Sequence, residues 1–102
     1  KTADTFADGM ACRMPAAEAL EIIAKGAARI ARVDDGEIRR AIVALHEDTH
    51  NTAEGAGAAA LAAAIQERAL NAGERIAVVL SGANIDRRVL TEILADHVRY
   101  SD

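Results

Sequence analysis

Aromatic residues are almost absent from this sequence of 102 residues, which has one phenylalanine, Phe6, one tyrosine, Tyr100, and no tryptophan. Hydrophobic residues nevertheless make up 51% of the chain. The sequence therefore predicts a core of alanine, leucine, isoleucine and valine, packed at short range. Its length fits one domain of modest size, or a piece of one, and excludes two.

Cysteine, basic runs and long apolar runs are equally scarce. Cys12 is the only cysteine, so an internal disulfide cannot form, and a reducing, cytoplasmic setting is favoured. We expect Cys12 to fill a buried apolar position rather than to act as a nucleophile.

The net charge of −4 and the lack of basic runs argue against nucleic acid and anionic membranes as partners. The longest apolar run, residues 56–65, is shorter than the roughly 18 residues of a membrane-spanning helix, and no signal peptide is recognisable.

Hydrophobic periodicity predicts four helices and two strands. The helices are expected at about residues 15–25, 35–50, 55–70 and 86–98, and the strands at 29–33 and 75–80. This order predicts an α/β fold, in which the alanine-rich third helix lies deep against the sheet. Two strands are too few for a stable sheet of this kind, so further strands are expected from a partner or from a longer chain.

The predicted strand at 75–80 leads into the first candidate binding site. In an open α/β sheet, ligands bind just beyond the carboxyl ends of the strands. The Ser81 hydroxyl can both donate and accept a hydrogen bond, and Gly82 lets a ligand approach the backbone. On these residues alone, an ordinary strand-to-helix turn is the favoured interpretation.

Two further motifs match known patterns in poor context. His46, Glu47 and His50 spell H-E-x-x-H, the zinc peptidase pattern, but at the polar end of a predicted helix. Solvated polar side chains are the favoured interpretation, and a zinc peptidase is the alternative. Residues 55–60 match the dinucleotide fingerprint G-x-G-x-x-A without the strand that must precede it, so glycines that permit close packing at a helix start are favoured. Glu54, beside the free N–H groups of that helix start, is a candidate for facing a ligand.

Three blocks taken together resemble the carboxyl-terminal third of the serine/threonine dehydratase (threonine ammonia-lyase) family, enzymes of fold type II that use pyridoxal phosphate. The blocks are TFADG at residues 5–9, AEGAGAA at 53–59 and VLSGANID at 79–86, in matching order and spacing. The Ser-Gly-x-Asn block is the most specific of the three.

This resemblance implies β-elimination of L-threonine or L-serine to a 2-oxo acid and ammonia, with pyridoxal phosphate as the cofactor. In the family, the serine of the Ser-Gly-x-Asn block forms a hydrogen bond with the nitrogen of the pyridine ring. The resemblance assigns this role to Ser81 and places Gly82 and Asn84 beside it in the cofactor site. Gly9 and Glu54 are carried over as parts of the wall of the cofactor site. No metal site is carried over.

The resemblance also implies the architecture and the partners. Residues 1–102 are expected to form the carboxyl-terminal portion of a single catalytic domain of the α/β class, part of a three-layer arrangement of sheet and helices. The family's Schiff-base lysine lies in the amino-terminal portion, and this chain has only Lys1 and Lys25. No catalytic residue is therefore assigned here, and the chain alone is expected to be inactive. The expected partners are the rest of the catalytic chain, an amino-acid substrate and further copies in a homo-oligomer. A non-enzymatic α/β interaction module is the second hypothesis.

Overall fold

The computed structural model describes residues 4–96, whose regular structure consists of α-helices and one short 3₁₀ turn. The 3₁₀ turn spans Asp8–Met10, and the helices are α1 (Ala17–Gly26), α2 (Asp35–Thr49), α3 (Gly55–Gln66) and α4 (Arg87–Ala95). All four predicted helices are present. Helix α3 ends earlier than predicted, and the predicted end of α4 at about residue 98 lies outside the described residues.

The prediction of an α/β fold, with three layers of sheet and helices, is wrong, because neither predicted strand forms. Residues 29–33 and 75–80 have no regular secondary structure. A strand forms where a neighbouring strand takes up its backbone hydrogen bonds, and no strand is present within residues 4–96. The apolar run at residues 76–80, which an internal strand of a sheet would bury, is largely exposed, since Ile76 and Val79 are 50% and 74% accessible.

Helix α2 is the element that its local sequence specifies best. The Asp34 side chain accepts a hydrogen bond from the Glu37 N–H at 2.7 Å, and the Glu37 carboxylate accepts one from the Asp34 N–H at 2.8 Å. This reciprocal pair is a capping box, which satisfies two of the N–H groups that a helix start leaves free. The apolar repeat of α2 forms its inward face, with Ile38, Ile42 and Leu45 buried.

The core lies between α2 and α3 and contains no aromatic ring. Ala58 and Ala62 of α3 and Ala41 of α2 are fully buried, and such short side chains let two helix backbones approach closely. The predicted aliphatic core is confirmed. The neighbour of the alanine-rich helix, however, is α2 rather than a sheet. The buried hydrophobic residues are Ala7, Ile38, Ala41, Ile42, Val43, Leu45, Ala53, Ala58, Ala59, Ala62 and Ile93.

Helices α4 and α1 differ in how they relate to this core. In α4, the Asp86 side chain accepts a hydrogen bond from the Arg88 N–H at 2.8 Å, and Ile93 is buried against the core. Helix α1 buries no residue, and the apolar side of α1 is open, with Leu20 50% exposed. Cys12, just before α1, is exposed as well, so the prediction of a buried position for it is wrong.

Within residues 4–96, no helix is both long enough and apolar enough to cross a membrane.

Candidate functional site

The first turn of α3 is the place where the three sequence blocks meet. A Cβ atom added to Gly55 would lie 2.9 Å from the Cα atom of Ala7, in the first block. A Cβ atom added to Gly57 would lie 2.2 Å from the carbonyl oxygen of Gly82, in the third block. The glycines of the helix start therefore permit close packing, as expected.

Glu54, the residue before α3, contacts the same glycine of the third block. The N–H of Glu54 donates a hydrogen bond to the Gly82 carbonyl oxygen at 3.1 Å. A Cβ atom added to Gly82 would lie 2.1 Å from the Glu54 Oε1 atom, so the carboxylate also lies against this glycine. The turn after residues 75–80 is thus fixed to the start of α3 by a backbone hydrogen bond and by steric contact.

Ser81 and Gly9 line one open cleft of about 470 Å³, although they come from opposite ends of the chain. Helix α3 provides one wall, which consists of methyl groups. No charged side chain lines this cleft among the described residues. The other lining residues are Met10, Ala31, Val33, Ala56, Ala59, Ala60, Ala63 and Val79.

Glu54 and Asn84 line a second and smaller cleft, of about 140 Å³, on the other side of the α3 start. Asp8 and Asp86 lie in the same wall, so this cleft has three carboxylates. The structure therefore divides the residues predicted from the sequence into two groups. Ser81 and Gly9 line one cleft, Glu54 and Asn84 line the other, and Gly82 lines neither.

The larger of these two clefts, which Ser81 and Gly9 line, has a second wall formed by Ala31 and Val33. Side-chain hydrogen bonds attach this wall to α3. The Gln66 side chain donates to the carbonyl oxygen of Arg32 at 2.7 Å, next to Ala31 and Val33 in the cleft wall. The Arg29 guanidinium forms two hydrogen bonds with the Glu67 carboxylate, which lower the pKa of Glu67 and raise the pKa of Arg29. This wall is held by these polar contacts together with the packing of Val33 against the core.

The H-E-x-x-H pattern does not have the geometry of a zinc site. His50 follows the last residue of α2 with φ of 57°, a left-handed conformation, and its N–H donates to the His46 carbonyl oxygen at 3.0 Å. His50 therefore lies at the C-cap with a left-handed backbone, and not within a continuous helix as the pattern requires. In the part of the chain that the structure describes, no group of three or more His, Cys, Asp or Glu side chains is arranged to hold a metal ion.

Comparison with known proteins identifies the family of this chain. The sequence matches the family described as pyridoxal-phosphate dependent enzyme over residues 1–82. This chain belongs to that family. The membership confirms the resemblance seen in the three sequence blocks, and it supports an enzyme that uses pyridoxal phosphate over a non-enzymatic module.

Two relatives of this pyridoxal-phosphate enzyme chain carry the same name. An L-threonine ammonia-lyase of Geobacter sulfurreducens is 38% identical over 90 residues, which cover 88% of this chain and 22% of the relative. An L-threonine ammonia-lyase of Thermotoga maritima is 36% identical over 90 residues, with the same coverage. The chain thus spans about a fifth of the length of these relatives. No solved structure matches it.

The larger cleft fits one half of the family's cofactor. The pyridine ring of pyridoxal phosphate needs a polar partner for its nitrogen and apolar contacts for its faces, and the cleft offers the Ser81 hydroxyl and the methyl wall of α3. The phosphate group needs cations or free N–H groups, and no lysine or arginine lines the cleft among the described residues. Ser81 therefore remains the predicted partner of the ring nitrogen, and Gly82, Gly9, Asn84 and Glu54 remain predicted residues of the cofactor site.

Gly57 is the residue at this site whose contact the sequence did not reveal. The sequence signal was present, because Gly57 stands between alanines in a helix, where alanine is the better helix former. That signal indicates close approach by some neighbour. Which neighbour it is depends on the tertiary structure, which places Gly82 there.

Proposed function

We propose that this chain is part of a pyridoxal phosphate-dependent ammonia-lyase that acts on L-threonine or L-serine. The reaction removes water across the Cα–Cβ bond of the amino acid and ends in a 2-oxo acid and ammonia. Bound pyridoxal phosphate supplies the electron sink that weakens the Cα–H bond. Family membership, the names of the two relatives and the cleft shared by Ser81 and Gly9 support this function.

The single observation that carries the proposal is the position of Ser81 in that cleft. In the proposed enzyme the Ser81 hydroxyl would form a hydrogen bond with the nitrogen of the pyridine ring and so would orient the ring. A hydroxyl is a weak acid, so it leaves the nitrogen without a full positive charge, which limits the electron sink and suits elimination. Gly82 joins Ser81 to the start of α3, and Gly9, Asn84 and Glu54 contribute to the surrounding wall.

The rest of the proposed site comes from outside this chain. Lys25 is exposed on α1 and is paired with Glu21 at 2.7 Å, so it is not offered as the lysine that holds the cofactor. We therefore propose that residues 1–102 form the carboxyl-terminal portion of one catalytic domain, and that the chain alone is inactive. We also propose a homo-oligomer in the cytoplasm, where the exposed thiol of Cys12 stays reduced.

The test is a Ser81→Ala variant of the full-length protein loaded with pyridoxal phosphate. Release of ammonia and of the 2-oxo acid is measured with L-threonine and with L-serine, together with the absorption spectrum of the bound cofactor. Hydrogen bonds to charged or functional groups contribute enough that we expect kcat to fall by about ten- to a hundredfold. The absorption spectrum is expected to change as well, because the ring nitrogen loses its partner.

Thr91→Ala is the matched control, because it also removes one hydroxyl. The Thr91 hydroxyl donates to the Arg87 carbonyl oxygen within its own helix at 2.7 Å, on the exposed side of α4. This variant is expected to retain the parent kcat and spectrum. Full ammonia-lyase activity with an unchanged spectrum in Ser81→Ala would contradict the assigned role, and no activity of the parent protein toward either hydroxy amino acid would contradict the function.

A further inference from the structure

We propose that Gly57 is a positioning residue, which together with the N–H of Glu54 clamps the Gly82 peptide and thereby sets the direction of the Ser81 hydroxyl. The inference rests on the function proposed for Ser81. It assigns to the start of α3 the task of aiming that hydroxyl into the cleft.

The contact at Gly57 leaves no space for a side chain. A Cβ atom there would lie 2.2 Å from the Gly82 carbonyl oxygen, 3.1 Å from its nitrogen and 3.2 Å from its carbonyl carbon. Atoms of different residues do not approach to 2.2 Å without a covalent bond, and the obstacle is backbone rather than the end of a flexible side chain. A methyl group at this position can be accommodated only if the Gly82 peptide moves or turns.

The opposite clash, at Gly82, is of a different kind. A Cβ atom on Gly82 would meet the Oε1 atom of Glu54 at 2.1 Å, but the carboxylate lies at the end of a flexible side chain and can rotate away. The requirement for glycine is therefore stricter at Gly57. Only a change at Gly57 pushes directly on the peptide that follows Ser81.

Helix propensity also indicates that position 57 requires glycine because of a close neighbour. Gly57 lies between Ala56 and Ala58 in the first turns of α3, in a run that is otherwise almost all alanine. Alanine is the better helix former, so glycine lowers the stability of this helix start. The close approach of the Gly82 peptide offsets that loss.

The clamp acts on Ser81 through one covalent bond. The Gly82 nitrogen is bonded to the Ser81 carbonyl carbon, and the Gly82 carbonyl oxygen accepts the hydrogen bond from the Glu54 N–H at 3.1 Å. Gly57 lies against the Gly82 nitrogen, which belongs to the Ser81–Gly82 peptide, and the Glu54 N–H binds the Gly82 carbonyl oxygen, which belongs to the next peptide. The backbone on the carboxyl side of Ser81 is therefore restrained from two directions. The Ser81 side chain is itself exposed along the open cleft, so this restraint acts by placing the Cα–Cβ bond that carries the hydroxyl.

The first test is Gly57→Ala in the full-length protein loaded with pyridoxal phosphate. We expect a change in the absorption spectrum of the bound cofactor in the same direction as in Ser81→Ala, and a fall in kcat of about tenfold with little change in KM. Gly26→Ala is the matched control, because a methyl group added at Gly26, the last residue of α1, meets no atom within 4 Å. This control is expected to keep the parent spectrum and kcat.

A double variant separates positioning from a general loss of structure. In a Ser81→Ala background, Gly57→Ala is expected to cause no further spectral change, because its effect acts through the serine hydroxyl. A change of the same size in both backgrounds would overturn the proposal. So would a parent-like spectrum and kcat in the single Gly57→Ala variant.

A second pair of variants tests the hydrogen bond from the Glu54 N–H to the Gly82 carbonyl oxygen. If Gly57→Ala does not fold, this pair alone decides whether the clamp exists. Glu54→Pro removes the N–H that binds the Gly82 carbonyl oxygen, and the φ of −78° at Glu54 is one that proline adopts. Glu54→Ala removes the same carboxylate but keeps the N–H. We expect the cofactor spectrum of Glu54→Pro to shift relative to that of Glu54→Ala, and identical spectra would overturn the clamp.

The outcomes distinguish this inference from the function on which it rests. If Ser81→Ala changes the spectrum while Gly57→Ala and Glu54→Pro leave it unchanged, only the clamp is wrong. If Ser81→Ala itself leaves spectrum and kcat unchanged, the proposed role of the serine is wrong and the clamp is overturned with it.

Discussion

Helices α1 and α2 are both amphipathic, but only α2 buries its apolar side. Ile42 of α2 is completely inaccessible to solvent, whereas Ile23 of α1 is 48% exposed. The periodicity of a helix shows which of its sides is apolar, but burial also requires a partner surface at the right distance. Helix α2 finds such a partner in the alanines of α3, and α1 finds none among residues 4–96.

The two regions also differ in what holds them in place. The α2–α3 pair is held by close packing of short aliphatic side chains. The segment that follows α1 is attached to α3 by the Arg29–Glu67 ion pair and by the hydrogen bond from Gln66 to the Arg32 carbonyl oxygen. Exposed ion pairs contribute little free energy, so the attachment of this segment is weaker than the core.

The largest expected effect comes from truncating an isoleucine in each region. Ile42→Ala leaves a cavity in the core and is expected to lower the free energy of unfolding by about 2–5 kcal/mol. Ile23→Ala removes the same atoms from an exposed position, where the expected change is within about 0.5 kcal/mol. Urea unfolding of both variants and of the parent, followed by circular dichroism, measures the difference.

Equal losses at the two positions would contradict the contrast between the regions. They would show that α1 is covered in solution, for example in the proposed homo-oligomer. Repeating the Ile23→Ala measurement over a range of protein concentrations separates the two cases, because the stability of an oligomer depends on concentration.

A smaller effect is expected at the helix starts. Asp34→Ala removes the capping box of α2 and is expected to cost about 1 kcal/mol. Helix α1 has no side-chain cap, since Ala16 precedes it, so Ala16→Asp adds a cap to the weakly attached region. We expect Ala16→Asp to raise the helix content at low temperature while leaving the global midpoint nearly unchanged. A rise in the midpoint for Ala16→Asp as large as the fall for Asp34→Ala would contradict this assignment.

The smallest effect concerns the ion pair between the two regions and depends on pH. The hydrogen bonds from Arg29 lower the pKa of Glu67, so the pair stabilises the fold above the ordinary carboxyl pKa. That contribution is lost as the pH falls through the lowered value. Between about pH 6 and about pH 3, the thermal midpoint of the parent is therefore expected to fall further than that of Glu67→Gln.

Glu21→Gln is the control for this pH experiment. It removes a carboxylate that is paired with Lys25 within α1, where both side chains are exposed. Because that pair does not join the two regions, Glu21→Gln is expected to follow the pH dependence of the parent. If Glu67→Gln also follows the pH dependence of the parent, the Arg29–Glu67 ion pair does not attach the segment after α1 to α3.

The helices were predictable because their signals are local. The cap at Asp34 and the apolar repeat from Ile38 to Leu45 lie within one stretch of sequence and need no knowledge of distant residues. The apolar run at residues 76–80 predicts a strand from its short length, its β-branched residues and the turn residues that follow it. It fails because a strand depends on a neighbouring strand, and none exists in the part of the chain that is described.

The candidate site was predictable in its residues and not in its arrangement. The three sequence blocks identified Ser81 and Gly9, which do share a cleft, but also Glu54 and Asn84, which face a different one. Sequence blocks carry no distances, so this division was not visible. The contact of Gly57 with the Gly82 peptide was hidden for the same reason.

A core built mainly from methyl groups has a consequence for the way this protein unfolds. An alanine side chain buries only a small apolar area when the chain folds. Unfolding therefore exposes less apolar area per buried residue than it would in a core of leucine and phenylalanine. Both the denaturant m-value and the heat capacity change scale with that area. We therefore expect an unfolding transition that is broad for a chain of this length and a stability curve that is flat with temperature.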